Sequence, residues 1–181
     1  MSIIQQSFSH SSSSFMIGKI QGILIDTLVA PLSAAEVTLA IILAAVTRSI
    51  IITIISVIVF SFIIEMHIYS IFFIFIFAFL GSFILGSLGI IAGLWAEKFD
   101  HMATVTNFII TPLSFLSGVF YSVEKLPSFF QSISKINPFF YMIDGFRFGF
   151  LGVSDGSINL GLFFLTILSI IMWFISYYLF K

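Results

Sequence analysis

From Ile68 to Trp95 the chain carries no charged residue, and most of the side chains in that stretch are large and apolar. A bilayer core is crossed by about 20 such residues in a helix, and inside hydrocarbon the backbone amides can bond only to one another. The run is therefore a membrane-spanning helix, and everything else must be arranged around it. Two further runs behave alike. Ala34–Ile64 is interrupted only by Glu36 and Arg48, and Ile158–Phe180 carries no charge. With 60% hydrophobic residues, 8% charged residues and 25 Phe, the composition excludes a soluble globular domain. A net charge of -1 with no basic cluster offers nothing to nucleic acid, and the absence of cysteine removes disulfides and thiolate metal sites. His10, His67 and His101 are scattered without ligand spacing, so no metal site is expected.

Read along the chain, the Ser-rich residues 1–14 have no periodic pattern and are expected to be a flexible end. Residues 15–30 place Ile20, Ile23, Leu24 and Leu28 on one helical face, with Lys19 and Asp26 on another, which is the pattern of a short amphipathic helix at the membrane surface. Pro31 ends it. Ser33 and Glu36 then form an S-x-x-E capping box that starts a span over 34–64. A second span follows over 68–95, a polar loop over 96–102, and a third span over 103–121 that contains Pro112. Residues 126–151 are rich in aromatics but broken by charges, Pro127 and Pro138. The pieces between breaks are too short to cross, so they read as a re-entrant helical pair. Asp155 and Gly156 make a turn before the last span, 158–180. The fold class is thus all-α integral membrane, with about four transmembrane helices, an amphipathic N-terminal helix and a re-entrant hairpin before the last span. Lys19, Lys98 and Lys181 balance Lys125, Lys135 and Arg147 across the membrane, so charge bias does not orient it.

Four groupings invite a functional reading. Ala78, Ser82, Gly86, Gly89, Gly93 and Ala96 form a seam of small residues, suited to close helix packing within one subunit or between two. Thr104, Asn107, Thr111, Ser114 and Gly118 form a polar stripe that either lines a pathway or bonds neighbouring helices and the carbonyl freed by Pro112. Arg48, alone inside an apolar helix, needs a lipid phosphate, water or an anionic substrate. Asp144 and Arg147, three apart, can neutralise one another. No Ser-His-Asp set, Walker loop, dinucleotide fingerprint or carboxylate pair is present, so catalysis is not expected and any energy for pumping must come from another chain.

The order of parts, with G-K-I-Q-G and P-L-S near the start, F-L-S-G-V-F-Y closing the third span, then L-P, N-P and D-G-F-R, resembles a permease of the ABC-2 type exporter family. The most specific stretch matches in Pro112, Ser117, Gly118, Pro127, Asn137, Pro138, Asp144 and Arg147. That resemblance implies a coupling helix carrying Lys19, Ile20, Ile23, Leu24, Asp26 and Leu28 against a separate ATPase subunit, which would hold ATP and Mg. It also implies a second permease copy, membrane lipids as neighbours and a bacterial inner or plasma membrane, while discounting Lys125, Lys135 and Arg147 as parts of a packed re-entrant element favours both chain ends in the cytoplasm. Family permeases have six spans where four are read here, so residues 1–14 would be the exit from a second span. The substrate implied is a lipid, a drug or a glycan. Readings outside the family are a secondary transporter or channel fragment and a non-transporting membrane scaffold.

Overall fold

The computed structural model describes residues 2–24, 29, 31–63, 68–119 and 127–181. These form helices joined by short connections: α1 (Ser2–Ile20), α2 (Ala34–Ile63), α3 (Ile71–Trp95), α4 (Phe99–Val105), a π-helical turn (Thr106–Ile110), α5 (Thr111–Phe115), α6 (Ser128–Ile136), α7 (Pro138–Leu151) and α8 (Ile158–Phe180). Among the described residues, α2, α3 and α8 are long and apolar enough to cross a membrane. Their outward surfaces carry exposed Phe62, Phe163, Phe174 and Tyr178, as expected where the surrounding solvent is lipid.

The capping box closes as its spacing requires. Ser33 N–H and hydroxyl both donate to Glu36 Oε2, at 2.7 and 2.8 Å, and Glu36 N–H donates to Ser33 Oγ at 3.3 Å. Two of the amides without intrahelical partners at the start of α2 are thereby satisfied.

Helix α3 is the centre of the bundle and packs against α1, α2, α7 and α8. Its small-residue seam explains why. At Gly89 an added Cβ would lie 2.0 Å from Ser11 Oγ and 2.7 Å from Phe8 O, and at Gly93 it would lie 3.1 Å from Phe15. Gly86 faces Ile42 and Ala45 of α2, and Ser82 bonds Ser49 across 2.6 Å. The seam therefore packs helices of one chain against each other, where backbone proximity supplies dispersion contacts that lipid cannot match. These pairs also set direction: α1 and α8 run parallel to α3, while α2 and α7 run against it. One end of the bundle collects the ends of α1, α3 and α8 with the start of α2; the other collects α7 and the start of α8.

Three sequence expectations change. Residues 2–20 are helical, and Ile4, Ser7, Phe8, Ser11, Ser12, Phe15 and Met16 are buried, so the flexible end expected over 1–14 is instead a core element. Its serines suit a tight interface because they are small and bond their own backbone, Ser11 to Ser7 O at 2.9 Å and Ser12 to Ser9 O at 3.3 Å. The amphipathic helix over 15–30 is not one element either: α1 stops at Ile20, and the chain turns through Gln21 and Gly22, whose φ of +77° is open to glycine at little cost. Finally, the described part of the third span is a rod over 99–115, shorter than the expected 103–121 at its far end and broken by the π-turn. Residues 64, 121 and 126, at the edges of expected elements, lie outside the described residues.

Candidate functional site

At the end of the bundle where α1 stops, Lys19 reaches across to the end of α3 and donates to Leu94 O at 3.2 Å and Ala96 O at 3.0 Å. A helix C-terminus presents carbonyls without partners and a partial negative charge, so an ammonium group there is favourable on both counts. The residues grouped as a coupling surface are split by the turn at Gly22. Ile20 and Ile23 are exposed, whereas Leu24 folds inward against the cluster of Phe15, Ile42, Val46 and Ile90. Asp26 and Leu28 lie outside the described residues. Val29 and Leu32 are exposed apolar residues as well, and Leu32 shares a cavity lining with Ile23. A mostly apolar cavity of about 380 Å³ opens here between α1 and α2, lined by Phe15, Gly18, Leu24, Leu32, Val37 and Ile41.

The polar stripe divides along its length. Thr104 and Asn107 are exposed, Thr111 is half-buried, and Ser114 and Gly118 are buried. Its hydroxyls bond their own helix: Thr104 to Asp100 O at 2.9 Å, Thr111 to Thr106 O at 2.9 Å, and Ser114 to Ile110 O. Pro112 accounts for the π-turn just before it. Lacking an N–H, Pro112 cannot bond the carbonyl four residues back, and the backbone N–H of Thr111 reaches Thr106 O instead.

The end of this rod is held by the α6–α7 junction. Ser117 turns back on Ser114 through both its N–H and its hydroxyl, and Gly118 adopts φ +78°. Leu113 O then accepts from Asn137 Nδ2 at 2.6 Å, and Leu116 O accepts from Ser134 Oγ at 2.9 Å. Asn137 also caps α7, its Oδ1 accepting from Phe139 N–H at 3.0 Å, while Pro138 occupies the first helical position where no N–H is needed. Pro127 stands one position earlier relative to its helix, at the N-cap of α6. The N-P pair thus ends one helix, begins the next and closes a third.

Beyond it, Arg147 bonds Asp144 Oδ1 and Asp155 Oδ2, both at 2.9 Å. Asp144, 2% exposed, also accepts from the N–H groups of Asp155 at 2.8 Å and Gly156 at 3.1 Å. Burial works against the guanidinium charge, but its bonds to Asp144 and Asp155 outweigh that cost, so Arg147 holds its proton more tightly than in water. The pairing of Asp144 with Arg147 lies in the sequence spacing. The second carboxylate, Asp155, does not; the only signal for it was a D-G turn pair. A further unread feature is the close crossing of α7 on α3. A Cβ on Gly145 would sit 2.3 Å from the Phe77 ring, and one on Gly149 would sit 2.5 Å from Ile74.

Among the described residues no group of His, Cys, Asp and Glu could hold a metal ion. Buried polar groups join helices to one another, Ser49 to Ser82 at mid-helix and Asn137 and Asp144 at helix ends and loops. Together with the three long apolar helices found among the described residues, such an arrangement defines a polytopic helical membrane protein.

The comparisons with known proteins agree. The profile of the ABC-2 type transporter family matches residues 1–151, and the chain belongs to that family. It is 34% identical over 155 residues to the inner membrane transport permease YadH of Escherichia coli (strain K12), a match that covers 86% of this chain and 60% of YadH. It is 30% identical over 97 residues to nodulation protein J of Sinorhizobium fredii (strain NBRC 101917 / NGR234), covering 54% of this chain and 37% of that protein. No solved structure matches. By its family and its long apolar helices the chain is an integral membrane protein, and it spans about 60% of the length of YadH.

Proposed function

We propose that this chain is the permease subunit of an ABC exporter, moved by ATP hydrolysis on a partner ATPase and working as a pair of copies in the inner membrane. Its relative YadH is named an inner membrane transport permease, and the family implies an ATPase partner in general. The carrying observation is the end of the bundle where α1 stops: exposed Ile23 and Leu32 line an apolar cavity, Ile20 is exposed at the end of α1, and Lys19 is tied to the end of the central helix. A push there has a rigid route inward: α1 is locked into α3 along Gly89 and Gly93, and α3 bears on every other long helix. In this reading the face carrying Leu32 and Lys181 is cytoplasmic, the α6–α7 pair lies on the far side, and the cargo is a lipid, a drug or a glycan. Nucleotide binding closes the ATPase, and the bundle rocks between two states.

The test is whether a soluble ABC-type ATPase co-purifies with this chain from its native membrane. Ile20→Asp combined with Ile23→Asp is expected to abolish it while leaving the detergent melting profile intact. Undiminished recovery of the ATPase, with transport preserved, would count against the proposal.

A further inference from the structure

A second cavity, of about 400 Å³, lies between α1 and α2 and is lined by Gln6, Ser9, His10, Ser13, Ser14 and Arg48. Gln6, His10 and Ser13 follow one another at helical spacing along α1, and Arg48 faces them from the antiparallel α2. The lining holds a guanidinium, an imidazole, an amide and three hydroxyls, and no carboxylate. Arg48 is exposed and forms no hydrogen bond or ion pair with any described residue. His10 Nδ1 is buried without a partner. A set of donors this unbalanced is complementary to an anion, and a guanidinium fits phosphoryl oxygens two at a time.

Depth separates this site from an ordinary headgroup contact. From Ala34 to Arg48 the helix rises about 21 Å at 1.5 Å per residue. The neighbouring Ser49 bonds Ser82, near the middle of α3, so Arg48 sits at mid-bundle, roughly 15 Å from the headgroups on either side. Snorkelling cannot carry one side chain that far. An unpartnered cation at this level marks a ligand route. The same face of α2 continues from Arg48 through Ile51, Ile55 and Phe62, all exposed, which gives an apolar track leading away from the donor set.

We propose that this cavity binds the phosphoryl group of an amphipathic anion, with its apolar tail lying along Ile51, Ile55 and Phe62. As the cargo's binding site it rests on the transport reading above, although binding itself needs no ATPase.

The experiment uses the full chain in phosphatidylcholine nanodiscs, with dodecyl phosphate, uncharged dodecanol and inorganic phosphate as probes. Dodecyl phosphate is expected to bind saturably and more tightly than dodecanol. Arg48→Gln should weaken it about tenfold or more, Arg48→Lys less, and the distant Lys98→Gln not at all. Equal affinity in the native chain and Arg48→Gln, with both folded, overturns the site. Inorganic phosphate binding as tightly as dodecyl phosphate overturns the amphipathic ligand and assigns the donors to a soluble anion. Failure of ATPase co-purification would sink the exporter reading and leave these binding results standing.

Discussion

Asp144 shows how much one buried carboxylate can hold in a membrane protein. It receives a guanidinium and two backbone amides, and these belong to α7 and to the loop entering α8. Asp144→Asn keeps the size but removes the charge, leaves Arg147 on Asp155 alone and turns an N–H donor toward backbone donors. Bonds to charged groups contribute about 1.5–3 kcal/mol each, and a broken pair leaves its partner uncompensated, so a loss of about 2–3 kcal/mol is expected. A melting curve of the purified protein in detergent decides: if Asp144→Asn melts with the native chain, the carboxylate is not holding the loop. The spacing of Asp144 and Arg147 was legible because it is local to one helix turn. Asp155 was not, because its meeting with Arg147 depends on how the chain returns after Gly152, whose φ is +71°. Lys19 carries the same lesson: its charge was visible, but its carbonyl partners on α3, Leu94 and Ala96, are brought close only by helix packing.

Among the elements, legibility follows the range of the physics. The start of α2 and the break between α6 and α7 were readable because Ser33, Glu36 and Pro138 act within a few residues of where they stand. The helix over residues 2–20 was not, because a run of serines says nothing of the glycines that will face it, and the compositional rule that makes serines flexible assumes water around them. The turn at Gly22 was missed for a related reason, since apolar periodicity continued through it while the backbone did not. Packing makes a prediction here that propensity would not. Gly145→Ala and Gly86→Ala both improve helix propensity on paper. At Gly145 the new methyl would meet the Phe77 ring at 2.3 Å, whereas at Gly86 its nearest neighbour is at 3.6 Å. Overpacking of this kind costs about 1–3 kcal/mol, so Gly145→Ala should lower the melting temperature and Gly86→Ala should leave it unchanged or raise it. Equal behaviour of the two would mean that α7 does not cross α3 as closely as described.

For the whole molecule, the central claim is one of sides. Parallel packing of α1 and α8 on α3 places the turn after α1 and the end of α8 together, and antiparallel packing of α7 places the loop after it at the opposite end. Charge counting was tied, so it left the long spans, which the sequence did locate, without an orientation. The matched part of YadH is 60% of that protein, which makes the assembled exporter a matter for experiment. The chain has no cysteine, so single cysteines can be introduced on a silent background. Leu32→Cys and Val153→Cys, both at exposed positions, should label from opposite sides of sealed inner-membrane vesicles. Leu32→Cys is expected to react with a membrane-impermeant maleimide only from the cytoplasmic face, and Val153→Cys only from the other. Labelling of both from one side would break the packing directions. Opposite labelling with Leu32→Cys on the external face would leave the bundle intact but deny an ATPase any hold on the helix ends through which the proposed motion enters.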